Sequence, residues 1–216
     1  MNIDVISLIK FGNKERIENL FKKGEIYMNS IKRLREFEKK GIGDDYEGST
    51  SIKNITNAKI TLEIPDNPIL LKTNKIHLHH FLTDPKGNIY STYAISNLLL
   101  KTKSIHRIDR RMVVFGSHCV IIKDVQKFTQ NIFSKLTELG FKYSHRLVKY
   151  HNYNKNNHDL GFFDKSHLFS YQKEHRIIAW TNNEQPLKFS IGSIEKYAEI
   201  YESNDLIKNL IVDIKG

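Results

Sequence analysis

Apolar positions near the start of the chain switch between two periods. Residues 7–11, Ser7-Leu8-Ile9-Lys10-Phe11, have strand character and stop at Gly12. Ile17, Leu20 and Phe21 then recur on one helical face. Asn13 precedes that helix as an N-cap, Lys22 and Lys23 suit its last turn, and Gly24 fits the left-handed position beyond it. The pattern repeats with a strand over 25–29, Ser30 as cap, and a second helix over about 31–39 carrying Ile31, Leu34 and Phe37 inward.

Strand periods dominate from there. Residues 58–64 alternate, with Ile60, Leu62 and Ile64 on one face, and Pro65 stops them. Residues 75–82 and 89–95 follow, and the turn-forming Asp84-Pro85-Lys86-Gly87-Asn88 between them predicts a hairpin. Residues 112–115 and 119–122 also read as strands. Asp124 then caps the clearest helix, in which Val125, Phe128, Ile132, Leu136 and Leu139 step by three and four before Gly140. Further strands are expected over 141–150, 168–180, 187–191 and 208–214, with a polar loop at 151–159 and a short helix near 194–201. The order predicts one α+β domain over residues 1–216. It is mostly antiparallel sheet, with two N-terminal helices and one central amphipathic helix.

Composition narrows what such a domain can do. At 216 residues and 39% hydrophobic, the chain can bury a sizeable core. No apolar run approaches the roughly 18 residues of a membrane span. The start has an early acid and neither a basic n-region nor a cleavage site, so no secretory signal is expected. The single cysteine, Cys119, excludes an intramolecular disulfide or a Cys-cluster zinc site. It suits a cytoplasmic setting, and its apolar surroundings predict an inert thiol. Thirty-four Lys and Arg against 24 Asp and Glu give a net charge of +10, which attracts nucleic acid and other anions. Lys101, Lys103, Arg107, Arg110 and Arg111 crowd into one stretch with only Asp109 against them, as a phosphate-tracking patch or as a solvated loop.

Residues 171–180, Tyr-Gln-Lys-Glu-His-Arg-Ile-Ile-Ala-Trp, hold the most chemistry. In an extended strand Gln172, Glu174 and Arg176 share one face with Ile178 and Trp180. A carboxylate flanked by an amide and a guanidinium is fixed in orientation and kept ionised. It either steadies an oxocarbenium centre and a ribose hydroxyl in a cleft, or closes a partly polar core as an internal ion pair. Ser91 and Thr92, between Tyr90 and Tyr93, either hold a ribose beside a stacked base or are ordinary strand residues. His77, His79 and His80 lack a nearby Cys or carboxylate to complete a metal set, so no metal is expected on them. Asp44, Asp45 and Glu47, in a glycine-rich loop, are the carboxylates that a metal-dependent nuclease or other hydrolase would use. Phosphate-loop, dinucleotide-fingerprint, zinc-helix and nucleophile-elbow motifs are absent.

Several short segments together resemble a bacterial family of uncharacterised proteins, some of them found in abortive-infection and phage-defence systems. That family opens on a Tyr/Leu-x-Lys-Tyr/Phe strand, matched by Leu8-Ile9-Lys10-Phe11. Its second strand is matched by residues 24–29 and its acidic loop by Asp44-Asp45-Tyr46-Glu47, without the family's proline. Tyr93-Ala94-Ile95-Ser96 stands for its middle strand, without the cysteine. Lys165, Tyr171, Glu174 and Arg176 follow its late Lys…Tyr-x-x-Glu-x-Arg pattern. The resemblance implies a defence setting and no settled activity.

A second similarity is to ADP-ribosyltransferases, which place Gln/Glu-x-Glu on a late strand and Ser-Thr-Ser on a middle one. Gln172-Lys173-Glu174 and Ser91-Thr92 occur here in that relation, with Lys10 nearest to the superfamily's early Arg or His. That similarity implies NAD as cofactor and transfer of ADP-ribose to a nucleic acid or a protein. Glu174 would hold the ribose 2′-hydroxyl and stabilise the cationic transition state, with Arg176 beside it. Gln172 would position the acceptor, Ser91 and Thr92 would brace the ribose strand, and Tyr27 or Tyr93 would stack on nicotinamide. The alternative is a non-enzymatic nucleic-acid-binding or regulatory module of a defence system. Its partners would be nucleic acid or another protein of that system, with no membrane involved.

Overall fold

A computed structural model describes residues 4–38, 46, 48–65, 67–83, 85–97, 105–182 and 184–213. The fold is α+β and its sheets are mostly antiparallel. Strand β1 (Val5–Gly12) leads into α1 (Lys14–Lys23), β2 (Glu25–Ser30) and α2 (Ile31–Glu38). The caps read from the sequence are in place. Asn13 accepts the Arg16 amide at 3.0 Å, Ser30 accepts that of Arg33 at 3.2 Å, and Gly24 closes α1 at φ 62°.

Next come β3 (Ser49–Leu62), β4 (Ile69–Phe81), β5 (Asn88–Ser96), β6 (Ile105–His106) and β7 (His118–Ile122). Helix α3 (Val125–Glu138) is capped by Asp124, which accepts the Lys127 amide at 2.9 Å. Beyond it run β8 (Lys142–Leu147), β9 (Lys149–His151), β10 (His158–Asp159), β11 (Asp164–Ser166) and β12 (Glu174–Trp180). The chain ends with β13 (Leu187–Ser190), β14 (Ala198–Glu202), α4 (Ser203–Asn209) and β15 (Val212–Asp213). Among the described residues no helix is long and apolar enough to cross a membrane.

The main sheet has eight strands, in the order β13-β2-β5-β1-β7-β14, with β12 and then β8 on the other edge of β5. On one face α1 and α3 pack Ile17, Leu20, Phe128, Ile132 and Leu136 onto Leu8, Ala94, Val120 and Ile177. The other face is covered in two places. Met112 and α4, through Leu206 and Ile207, pack on Ile9, Phe11 and Tyr93, while Ile31 of α2 and Phe163 pack on Ile89 and Ile178.

Five sequence expectations are corrected. β4 pairs with β3 over twelve residue pairs, not with β5. The reason is burial: apart from Ser91, every residue of β5 is buried, which only a central strand allows. Residues 110–115 form a 3-10 turn, not a strand. Asp109 caps it, and Met112 is buried while Val114 stays 56% exposed. The strand expected over 168–180 starts only at Glu174. Residues 167–172 are a 3-10 turn ended by Lys173 at φ 43°. Residues 141–150 break after Leu147, so β8 joins the main sheet and β9 pairs with β11. Finally, the C-terminal elements shift. In place of the helix expected near 194–201, 195–197 is a 3-10 turn and 198–202 pairs with β7 as strand, while 203–209 is helix, because Ser203, Leu206 and Ile207 make a helical stripe, and only 212–213 is strand.

Candidate functional site

β1 and β2 lie on the same edge of β5. β1 pairs with residues 93–96, β2 with 88 and 89, and both oppose β12 across the strand. Between them the two strands splay. β1 follows β7 to Gly12, and the first half of β2 follows β13. The edge of β5 at residues 90–92 is therefore open, and a cavity of about 490 Å³ occupies the split. α1 starts at its rim. A close backbone approach fixes one wall: a Cβ on Gly116 would lie 2.1 Å from the Gly12 carbonyl carbon and oxygen, and Gly116 has a φ of 146°.

Lys10 spans the split. Its Nζ donates to the Ser91 carbonyl at 2.7 Å, the oxygen that a neighbouring strand would otherwise have taken, and lies 4.4 Å from the centre of the Tyr90 ring. Desolvation lowers the Lys10 pKa to about 8, with the Glu174 charge raising it and Arg16 lowering it further. At the rim the Arg16 guanidinium sits 5.2 Å over the Tyr27 ring, and the Tyr27 hydroxyl accepts from Arg33. Glu25 and Asn29 also face the cavity. The Tyr90 hydroxyl is buried without a hydrogen-bond partner among the described residues, and burial pushes its pKa well above the usual phenol range.

The floor is a buried polar cluster. Pairing in register puts Glu174 opposite Tyr93, and Arg176 opposite Ser91, on one sheet face between the two apolar clusters there. Lys165 Nζ is 2.7 Å from Glu174 Oε1, and Arg176 Nε is 2.7 Å from Glu174 Oε2. Lys165 also donates to Gln172 Oε1 at 2.7 Å, and Arg176 to the Phe162 carbonyl at 2.6 Å. The Glu174 amide donates to the Tyr150 hydroxyl. Burial favours the neutral acid, but Arg176 and Lys165 outweigh it and hold the Glu174 carboxyl well below its ordinary range. Glu174 is thus both a buried partner of Arg176, at 7% exposure, and part of the cavity wall. The left-handed turn at Lys173 brings Gln172 to this cluster, although Gln172 is not on the strand.

The other expected residues divide. Ser91 and Thr92 both line the cavity, on opposite faces of the sheet, and the Thr92 hydroxyl donates to the His175 carbonyl at 3.4 Å. The Tyr93 ring is packed edge-on against Phe11 and beside His106, with its hydroxyl 2.6 Å from His106 Nε2, so Tyr27 is the better-placed aromatic surface. In the basic run, Lys101 and Lys103 lie outside the described residues. Arg111 is held by Asp109 at 2.8 and 3.0 Å and covers the Tyr171 ring at 3.8 Å, leaving Arg107 and Arg110 as exposed side chains. Asp44, Asp45 and Glu47 also lie outside the described residues.

Among the described residues no group of three or more His, Cys, Asp or Glu converges on a metal position. Instead, the His77 and His79 rings stack 6.3 Å apart. Cys119 is buried, and its thiol pKa is pushed up to about 12 by desolvation.

Sequence reasoning about the site did not assign Lys165 as the second cation on Glu174, or Arg16 as a rim group. Lys165 stood in the family pattern, and Arg16 sits one turn beyond the Asn13 cap, the position that faces a helix entrance. No described protein family matches the chain, and no curated protein or solved structure is detectably similar to it.

Proposed function

We propose that the cleft between β1 and β2 binds an anionic nucleotide, with NAD or its ADP-ribose portion as the expected ligand. The observation that carries this reading is the pairing of cations with tyrosine rings at the open edge of β5, Lys10 with Tyr90 and Arg16 with Tyr27. Of the charged groups lining the cavity, Lys10, Arg16, Lys165 and Arg176 are positive and Glu25 and Glu174 negative, an excess that suits phosphates. A drug-sized ligand fits a cavity of about 490 Å³. Tyr27 offers a face to a base or to nicotinamide, and the Ser91 hydroxyl and Gln172 amide offer hydrogen bonds to a ribose.

Transfer of ADP-ribose is a second reading, favoured by an ionised Glu174 in the cavity wall with Gln172 beside it. The ion pairs weigh against it: a carboxylate neutralised at both oxygens has little charge left for an oxocarbenium centre. The family resemblance supplies the defence setting, in which the bound nucleotide would be a signal or a substrate.

Titration calorimetry with NAD, ADP-ribose and AMP tests the binding reading, and release of nicotinamide from NAD tests the transferase reading. Binding with no nicotinamide release leaves a nucleotide-responsive module. Release by the wild type that Glu174→Gln lowers on the order of a hundredfold, the loss seen when one electrostatic stabiliser is removed, in a variant still folded by circular dichroism at the assay temperature, establishes the transferase. Absence of binding by all three ligands overturns both.

A further inference from the structure

Strands β3 and β4 extend from the body as a two-stranded ribbon. β10 joins them only at Ser51 and Ile52, and the last hydrogen bonds from the residue 152–157 loop reach Asn54 and Lys75. From Ile55 to Leu62 and back from Ile69 the ribbon runs about 25 Å further, at the ordinary strand rise, with no third strand among the described residues. No side chain in either stretch, from Lys53 to Leu62 or from Ile69 to Phe81, is buried.

Its charge is one-sided. Neither strand contains an Asp or Glu, while Lys53, Lys59, Lys72 and Lys75 stand on them, and the third strand brings Asp159 only to the base of the ribbon, opposite Ser51. Lys59 and Lys72 are directly opposite each other in the ladder, a like-charge pair that weakens an isolated ribbon. The register places Lys53 on the same face as that pair, together with Asn57, Asn74 and Thr61 and with the apolar Ile55, Leu70, Ile76 and Leu78. That face has cations for phosphates, amide and hydroxyl groups for base edges, and apolar side chains for thymine methyl groups.

We infer that this ribbon is a docking arm for double-stranded B-form DNA, lying in the major groove with its Lys59–Lys72 face inward. A two-stranded ribbon fits a groove about 12 Å wide, whereas the deep, narrow major groove of an RNA duplex excludes it. Phosphates on either side relieve the repulsion between Lys59 and Lys72. On the opposite face Ile60, Leu62, Ile69 and Leu71 are each 37–45% exposed, far fewer side chains than the roughly 20–30 residues that each partner gives to a stable interface. A stable interface buries about 800 Å² on each partner. The arm assignment does not rest on the cleft reading.

The test is fluorescence anisotropy with the full chain and a labelled DNA duplex two helical turns long, against RNA duplex and single-stranded DNA of equal length, over a range of salt. The triple variant Lys53→Glu, Lys59→Glu, Lys72→Glu should bind DNA duplex more weakly by about tenfold or more, with its log–log salt slope smaller by about 3. Its melting temperature serves as the folding control. The same triple change to Gln should lie between the two. The wild type should prefer DNA duplex over RNA duplex. Equal binding by wild type and charge-reversed protein overturns the proposal, as does preference for RNA or single strands. So does a concentration-dependent dimer that Ile60→Ser and Leu71→Ser dissolve without any change in DNA binding.

Discussion

On the cleft floor, Glu174, Arg176, Lys165 and Gln172 are nearly removed from water, and three ion or hydrogen-bond contacts of 2.7 Å tie them together. In the arm, Lys53, Lys59 and Lys72 stand in water, with no acid on either strand. Charge does different work in the two places. In the floor it is spent internally: removing one partner strands the others in a low-dielectric region, so the cluster governs stability and the shape of the cavity. On the arm it is unspent, screened by salt and open to any anion, so it contributes almost nothing to folding. Each region also holds one non-glycine residue in the left-handed region, Lys173 at φ 43° and Asn57 at φ 52°. Asn tolerates that conformation, whereas Lys is strained by it.

The sharpest way to break this contrast is Glu174→Gln. It leaves Lys165 and Arg176 buried without their counter-charge and should cost roughly 3–5 kcal/mol in denaturant unfolding. A loss no larger than that of a surface substitution would mean that the cluster is solvated. Replacing the arm beyond the Asn54–His77 pair by an Asn-Gly turn should, by contrast, change the stability of the body by only about 0.5 kcal/mol. Lys173→Gly should stabilise by about 1 kcal/mol, because glycine adopts positive φ without the steric penalty, while Asn57→Gly should have a smaller effect.

The pH dependence separates the regions again. Lys10, lowered from 10.5 to about 8, is charged below that value and neutral above it. Affinity for an anionic nucleotide should therefore fall as pH rises through about 8, and Lys10→Met should remove the step. The linked effect on folding has the opposite sense. The unfolded chain binds more protons between about 8 and 10.5, so the lysine's contribution to stability rises with pH across that window. Lys59→Glu should give the smallest change, a few tenths of a kcal/mol of added protection in the arm, read by hydrogen exchange, as the like-charge pair becomes an opposite-charge one.

The N-terminal elements and α3 were legible because each carries its own cap, stripe and stop within a few residues, as at Asn13, Ile17, Leu20 and Gly24. The pairing of β5 was not, because Asp84 to Asn88 looks like a hairpin turn whichever strand β5 finally joins. Only burial on both faces of β5 decides the matter, and that depends on β1, β2 and β12 together. The site was half legible. Period two brought Glu174 and Arg176 together, but the turn at Lys173 and the arrival of Lys165 from β11 are tertiary facts. The splaying of β1 from β2, which makes the cavity, leaves no local mark in either strand.

Hydrogen exchange measured with and without ADP-ribose tests the nucleotide-cleft reading most directly, because it reads location as well as binding. Added ligand should slow exchange at the rim of α1 around residues 13–16, along the first half of β2 and at 90–92 of β5, and leave the arm from 55 to 76 unchanged. Protection confined to the arm, or no protection anywhere at saturating ligand, would contradict a nucleotide site in the split between β1 and β2.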